Sequence, residues 1–205
     1  MRGLKQALFT AGTIAGLCAG LSWAADPQIL DYARACAQRI GSVPSFNCLD
    51  GEIAPIFVDG RPIATAADYQ PDMSCDNPAL LPYDLPHEAY PSDGQCTPFS
   101  RALLLSDGNV QISAFCRRRK IRAPEDPHFD EIDVILHSVS NGSTCWFQAK
   151  AETGAGLDAS RVPPPDEDRP RADGMLAAVE FWRSPQEVAD EKCGVCHDSD
   201  PFMYS

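Results

Sequence analysis

Cys193-Gly194-Val195-Cys196-His197 brings two thiols and an imidazole into five consecutive positions near the C-terminus. Thiols three positions apart stand about one turn from each other on a helix. They can reach the two vinyl groups on one edge of a porphyrin, and the adjacent imidazole then meets the iron from the same side. Cys-x-x-Cys-His is for this reason the attachment signature of covalent haem. The axial ligand and its burial set much of the redox character of the iron. Other uses of the same cysteines fit less well. A redox-active Cys-x-x-Cys needs a strand before it and a sheet continuing after it, and the end of the chain has no room for either. A structural zinc site needs a second Cys or His pair at finger spacing, and a disulfide closed over three positions is strained.

The start of the chain points to export. Arg2 and Lys5 precede an apolar stretch from Ala7 to Leu21, and Ser22-Trp23-Ala24 offers small residues at the −3 and −1 positions. This is the layout of a secretory signal peptide, residues 1–24, with cleavage after Ala24 and a periplasmic or secreted destination. The apolar run is shorter than a bilayer requires, and Leu17 before Cys18 argues against a lipid anchor. Cleavage takes Arg2 and Lys5 from the 17 basic residues and leaves all 29 acidic ones, so the net charge moves from −12 to −14. Such a surface repels phosphate backbones, which excludes nucleic acid as a partner, and steers basic partners towards it. No other segment approaches a membrane span, and the mature chain is expected to be soluble.

Eight cysteines remain after cleavage. Setting aside Cys193 and Cys196 leaves Cys36, Cys48, Cys75, Cys96, Cys116 and Cys145, an even number that reads as a disulfide framework in an exported chain. Six cysteines allow many pairings. Short loop closures favour the sequential scheme Cys36–Cys48, Cys75–Cys96 and Cys116–Cys145.

The elements that must position the motif follow from local signals. Asp26-Pro27 starts a helix over residues 28–40, closed by Gly41. Residues 56–58 and 61–63 flank Asp59-Gly60 as a small hairpin, with Pro62 keeping its arm at an edge. Residues 67–98 read as a long loop. Two stronger hairpins pair Arg101–Leu105 with Val110–Cys116 and Ile132–Val139 with Thr144–Lys150. Residues 151–172, with Pro163-Pro164-Pro165, read as an extended linker. Asp173 caps a short helix through Trp182, and Ser184-Pro185 starts another that runs into Cys193. The expected architecture is α+β: a disulfide-stapled, mostly β domain over 25–150, the linker over 151–172, and a helical haem-binding segment over 173–205.

Residues 184–197 resemble the haem-attachment helix of c-type cytochromes, and the whole resembles secreted bacterial proteins that join a cysteine-rich module to a C-terminal haem segment. The resemblance covers about the last 25 residues. It implies one covalent haem c per chain, thioethers at Cys193 and Cys196, and His197 as the proximal iron ligand. Class I cytochromes continue well past the motif to a methionine ligand, whereas eight residues follow His197 here; a chain truncated after Ser205 would account for the difference.

The opposite face of the iron needs its own ligand. Met203 reaches it only at nearly full extension, and Met73 and Met175 read as filler of loop or core. His87 and His128 fall in loops. His137 lies in Ile132-Asp133-Val134-Ile135-Leu136-His137, which reads as a strand buried on both faces, and it is the expected sixth ligand. The basic run Arg117–Arg122 reads as a solvated strand end, or as a source of one arginine for the haem propionates or for Asp166-Glu167-Asp168. The acidic residues Glu125, Asp126, Asp130, Glu131 and Asp133 lack the spacing of a calcium loop. The expected function is electron transfer with an unidentified redox partner protein rather than catalysis. The alternatives are a haem enzyme or ligand sensor with an open distal side, and a secreted binding module that carries a haem segment.

Overall fold

The two stronger hairpins form the middle of the fold. In a computed structural model, which describes residues 28–63, 65–68, 76, 97–106, 108–168 and 175–193, β4 (Arg101–Leu104) pairs antiparallel with β5 (Val110–Arg117), and β7 (Glu131–Ser138) with β8 (Thr144–Lys150). β5 and β7 join the hairpins through eight registered pairs, from Val110↔Ser138 to Arg117↔Glu131. β1 (Glu52–Ile53) adds to β4, which gives a five-stranded antiparallel sheet of order β1-β4-β5-β7-β8. Two minor pairs stand apart from it. β2 (Phe57–Val58) with β3 (Arg61–Pro62) is the small hairpin, and β6 (His128–Phe129) pairs with β9 (Leu157–Asp158). Asp59 and Gly60 both adopt positive φ, as an Asp-Gly turn of this kind requires, and their N–H groups donate to the Asp76 carboxylate at 2.8 and 2.7 Å.

Strand alternation assigns each side chain to a face. Ile112, Ala114 and Cys116 of β5, Ile132, Val134 and Leu136 of β7, and Phe147 and Ala149 of β8 are buried on one face. α1 (Gln28–Arg39) covers that face with Ile29, Leu30, Ala33 and Cys36. Gly41 follows at φ +150°, where an added Cβ would come within 3.3 Å of Val110.

The cysteine pairing is not sequential. Cys36 is bridged to Cys145 and Cys48 to Cys116, which corrects the expected Cys36–Cys48 and Cys116–Cys145. Loop closure favours near neighbours only while the chain is unfolded. Once α1 lies on the sheet, Cys36 on its inner face stands opposite Cys145 on β8, with the Cα atoms 6.2 Å apart. Cys75 and Cys96 lie outside the described residues.

The proline-rich stretch is built into this core. Ala159, Val162, Pro163 and Pro165 are fully buried, and Val162 and Phe46 exchange both backbone hydrogen bonds. Prolines bring no N–H, so an extended run of them can be enclosed without orphaned donors. The Pro163 carbonyl accepts from Trp182 Nε1 at 2.9 Å. α2 (Ala178–Phe181) delivers Phe181 and Trp182 to the same hydrophobic cluster as α1 and the sheet. The described part of the C-terminal segment therefore shares the first domain's core. Asp173, the expected cap, lies outside the described residues, and the helix begins at Ala178. α3 (Pro185–Asp190) starts as expected: Ser184 Oγ accepts from the Glu187 N–H, and the Glu187 carboxylate accepts from the Ser184 N–H at 2.8 Å.

Peptide mapping without reduction is expected to return Cys36–Cys145 and Cys48–Cys116. Replacing Cys36 and Cys145 together by alanine should lower the unfolding free energy in urea by about 2–5 kcal/mol. A fragment linking Cys36 to Cys48 would contradict the arrangement.

Candidate functional site

The segment that leads to Cys193 packs at the β8 edge of the sheet, where α3 contacts both β8 and α1. After Trp182 leaves the core, the chain turns around the β8 edge, where the Arg183 N–H donates to the Gln148 carbonyl at 2.9 Å. The Arg183 guanidinium then donates to the Gln148 side-chain oxygen and, at 2.5 Å, to Glu191. Lys150 Nζ lies 3.4 Å from the same Glu191 carboxylate. α3 is thereby clamped at the Lys150 end of β8, and Cys193 follows three residues after its last residue, Asp190, half-buried. Among the described residues it is the one cysteine outside a disulfide.

Its surroundings are acidic. Burial raises the Cys193 thiol above its ordinary pKa, and the Asp133, Glu191 and Glu131 carboxylates raise it further, against the helping effect of its own backbone. Asp133 is itself pushed up to about 6, first by burial and then by Glu131; Arg117 and Gln148 oppose the shift. Gln148 Nε2 donates to Asp133 at 2.9 Å and Arg117 Nε lies 3.1 Å from it. Burial and neighbouring carboxylates therefore favour the protonated form of both the Cys193 thiol and the Asp133 carboxyl.

His137 is on the outer face of the sheet, opposite α1, four residues along β7 from Asp133. The strand is not buried on both faces as expected: Ile132, Val134 and Leu136 are buried, while Asp133, Ile135 and His137 are half-exposed. β7 belongs to an antiparallel sheet that α1 covers on one side, which leaves the other side partly open. His137 Nδ1 is 2.8 Å from Thr144 Oγ1, so its ring is oriented by the neighbouring strand. Cys196, His197, Met73, Met203 and His87 lie outside the described residues. Met175 is buried and lines a half-open cavity of about 300 Å³ with Leu157, Arg161 and Phe181, a lining to which neither Cys193 nor His137 contributes. His128 Nδ1 is 2.8 Å from Asp126.

The basic run is solvated only in part: Arg119 and Lys120 are exposed, whereas Arg118 and Arg122 are built into the fold. Arg118 is fully buried and donates to the carbonyls of Ala123 at 2.7 Å and of Asp126, with its guanidinium 4.7 Å over the Phe129 ring. Arg122 forks onto Asp130 at 2.6 and 2.7 Å, and Arg119 reaches Glu131 at 2.5 Å. Burial works to raise the Asp130 carboxyl, but Arg122 and the Arg119 N–H outweigh it and hold it below the usual range. The acidic residues 166 and 168 meet Ser42 and Arg34 and not an arginine of the run. Sequence reading missed the set Glu131, Asp133, Gln148, Arg183 and Glu191. The alternation of β7, which puts two acids in line with Ile135 and His137, was the available signal.

Among the described residues, no group of three or more His, Cys, Asp or Glu side chains is arranged to hold a metal ion, and no helix is long and apolar enough to cross a membrane. An unbridged thiol at Cys193 is compatible with an attached porphyrin. No protein-family model, curated protein or solved structure matches this chain.

The raised Asp133 fixes the sign of a pH effect. Below about pH 4 the carboxyl is neutral in both states. Between about pH 4 and 6 the unfolded chain ionises while the folded one keeps the proton, so this group's contribution to stability falls as pH rises and levels off above 6. Asp133→Asn lacks that slope. With 27% of the side chain exposed, the variant should gain about 1–2 kcal/mol relative to the wild type between pH 4 and 7. Urea midpoints across that range check it; parallel curves would refute it.

Proposed function

We propose that this chain is an exported electron-transfer protein that carries one haem c, bound through thioethers at Cys193 and Cys196 with His197 as the proximal ligand. The observation that carries the reading is the sequence Cys193-Gly194-Val195-Cys196-His197 directly after a capped helix, with Cys193 left unbridged while Cys36, Cys48, Cys116 and Cys145 are paired. The two disulfides agree with an oxidising compartment, which the signal-like residues 1–24 also suggest. A haem bound there supplies a one-electron Fe(III)/Fe(II) couple.

The chain's own residues contribute placement and protection. The Arg183–Glu191–Lys150 clamp fixes where α3 ends and so where Cys193 stands. Burial, and after it the carboxylates of Asp133, Glu191 and Glu131, favour the protonated Cys193 thiol, which slows its oxidation before attachment because the thiolate is the reactive form. His137, oriented by Thr144, is the proposed sixth ligand. Were His197 and His137 both to hold the iron, the group would supply electron transfer rather than catalysis. The redox partner would present a basic surface to this chain of net charge −14 after cleavage.

Purified from a host that matures c-type cytochromes, the protein should keep its haem through denaturation and acid-acetone extraction, and Cys193→Ala with Cys196→Ala should lose it entirely. An apo mass for the wild type would end the proposal. In the loaded protein, His137→Ala should convert a low-spin spectrum to a high-spin one; an unchanged spectrum would remove His137 from the ligand set.

A further inference from the structure

Two arginines carry donors that the protein itself does not meet. Arg101 Nε and Arg118 Nε are both enclosed, and neither has a hydrogen-bond partner among the described residues. The two side chains are neighbours. Arg101 pairs with Cys116 across β4 and β5, so Arg118, two residues further on, lies on the same face as its diagonal neighbour. Arg118 is 0% exposed, and its N–H donates to Ser100 Oγ at 3.0 Å, which fixes it against the residue before Arg101.

The orphan donors share one surrounding. Arg101 Nη2 reaches the Pro124 carbonyl at 3.2 Å, and Arg118 Nη2 reaches the same oxygen at 3.5 Å. In a planar guanidinium the Nε–H shares an edge with Nη2, so both Nε–H groups stand next to the donors that meet there. The Phe129 ring covers a face of Arg118 at 4.7 Å, and a further acceptor meets this guanidinium in its own plane, at the Nε edge.

Charge and acceptor capacity select the occupant. Among the described residues, the hydrogen bonds of the two guanidiniums all end on backbone carbonyls, those of Leu49, Gly51, Ala123, Pro124 and Asp126. The neighbouring carboxylates are committed elsewhere: Asp130 to Arg122, and Asp126 Oδ1 to the N–H and ring of His128. Two positive charges therefore stand together with no counter-charge in hydrogen-bond contact, an arrangement that is costly when buried. Burial lowers the pKa of Arg118, and Arg101 and Arg122 lower it further, against Asp126 and Asp130. A water molecule could accept from the Nε–H groups, but it must place two protons of its own. The Pro124 oxygen already accepts from both arginines, and the Ala123 oxygen accepts from Arg118 and from the Asp126 N–H, which fills both lone pairs of each. An anion has no proton to place and offsets the guanidinium charge. We infer that Arg101 and Arg118 hold one chloride ion between their Nε–H groups. The site lies within the folded β domain and is independent of the haem-attachment reading. It ties the shape of the loop after β5 to the halide content of the surroundings.

The test follows urea unfolding of the oxidised full chain as sodium chloride replaces sodium isethionate at constant ionic strength and pH, so that screening is equal throughout. The urea midpoint should rise with chloride and level off, as for a ligand that binds only the folded state. Arg101→Gln should weaken the apparent affinity about ten-fold. Arg61→Gln, the same change of charge on an exposed residue of β3, should leave it as in the wild type. Crystals soaked in sodium bromide should show an anomalous peak within hydrogen-bond reach of both Nε atoms. A midpoint that does not respond to chloride overturns the inference, and so does equal weakening by Arg61→Gln. A bromide peak without saturable stabilisation marks an adventitious ion only and overturns it as well, as does water in that place with no bromide. If Arg101→Gln does not fold, the wild-type titration and the bromide diffraction decide the matter between them.

Discussion

The register of β7 between β5 and β8 decides the character of both sides of this protein. A shift of one residue would turn Ile132, Val134 and Leu136 out of the core and bring Asp133, Ile135 and His137 into it. Several independent contacts resist that shift. The Cys48–Cys116 bridge ties the end of β5 to the segment before β1, and Cys36–Cys145 ties β8 to α1. Tyr32 Oη accepts from the Trp146 N–H at 3.0 Å, which fixes α1 against the exposed edge of β8. Everything of functional interest on the outer face inherits its position from this alignment.

The loop that feeds β7 is stabilised by cations rather than by apolar packing. Burying a guanidinium is costly unless its donors are met. Arg118 meets that condition in part, through the Ala123 and Asp126 carbonyls, and Arg101 bridges the Leu49, Gly51 and Pro124 carbonyls at 2.8–3.2 Å, while the Nε of each is buried without a hydrogen-bond partner among the described residues. Charge-assisted hydrogen bonds are about twice as strong as neutral ones. A small number of arginines can therefore hold irregular backbone in one shape over residues 118–130. The same loop places Asp130 for Arg122 and Glu131 for Arg119, at the point where the outer face becomes charged.

Local signals in the sequence were legible, and long-range ones were not. Gly108 and Gly142 at positive φ sit in the turns of the two main hairpins, Ser184-Pro185 begins α3, and α1 spans the expected residues. Each depends on a few adjacent side chains. The disulfide partners depend on how α1 docks, and nothing near Cys36 encodes Cys145. Pro163-Pro164-Pro165 has the composition of a linker, yet its burial is decided by Phe46 and Trp182, residues distant in sequence. Five cations in six positions looked solvated because their carbonyl and carboxylate partners come from the following loop and strand. His137 was placed on the correct strand, but its exposure follows from α1 covering only one face, which strand composition does not reveal.

The crossed bridges also carry a consequence for how the chain matures. Synthesis delivers a polypeptide N-terminus first, so Cys36 and Cys48 are available to an oxidant well before Cys116 and Cys145 have emerged. The partners nearest in time are then the wrong ones, and a bridge between them would hold α1 away from the sheet it must cover. Correct pairing requires that oxidation wait for the β5–β8 segment, or that an early bridge be exchanged by thiol attack once that segment arrives. Sequence separations of 109 and 68 residues make the second route an exchange on the scale of seconds to hours without a dedicated catalyst. Cys193, the described cysteine outside a disulfide, emerges after all four of these, when both bridges can already be closed.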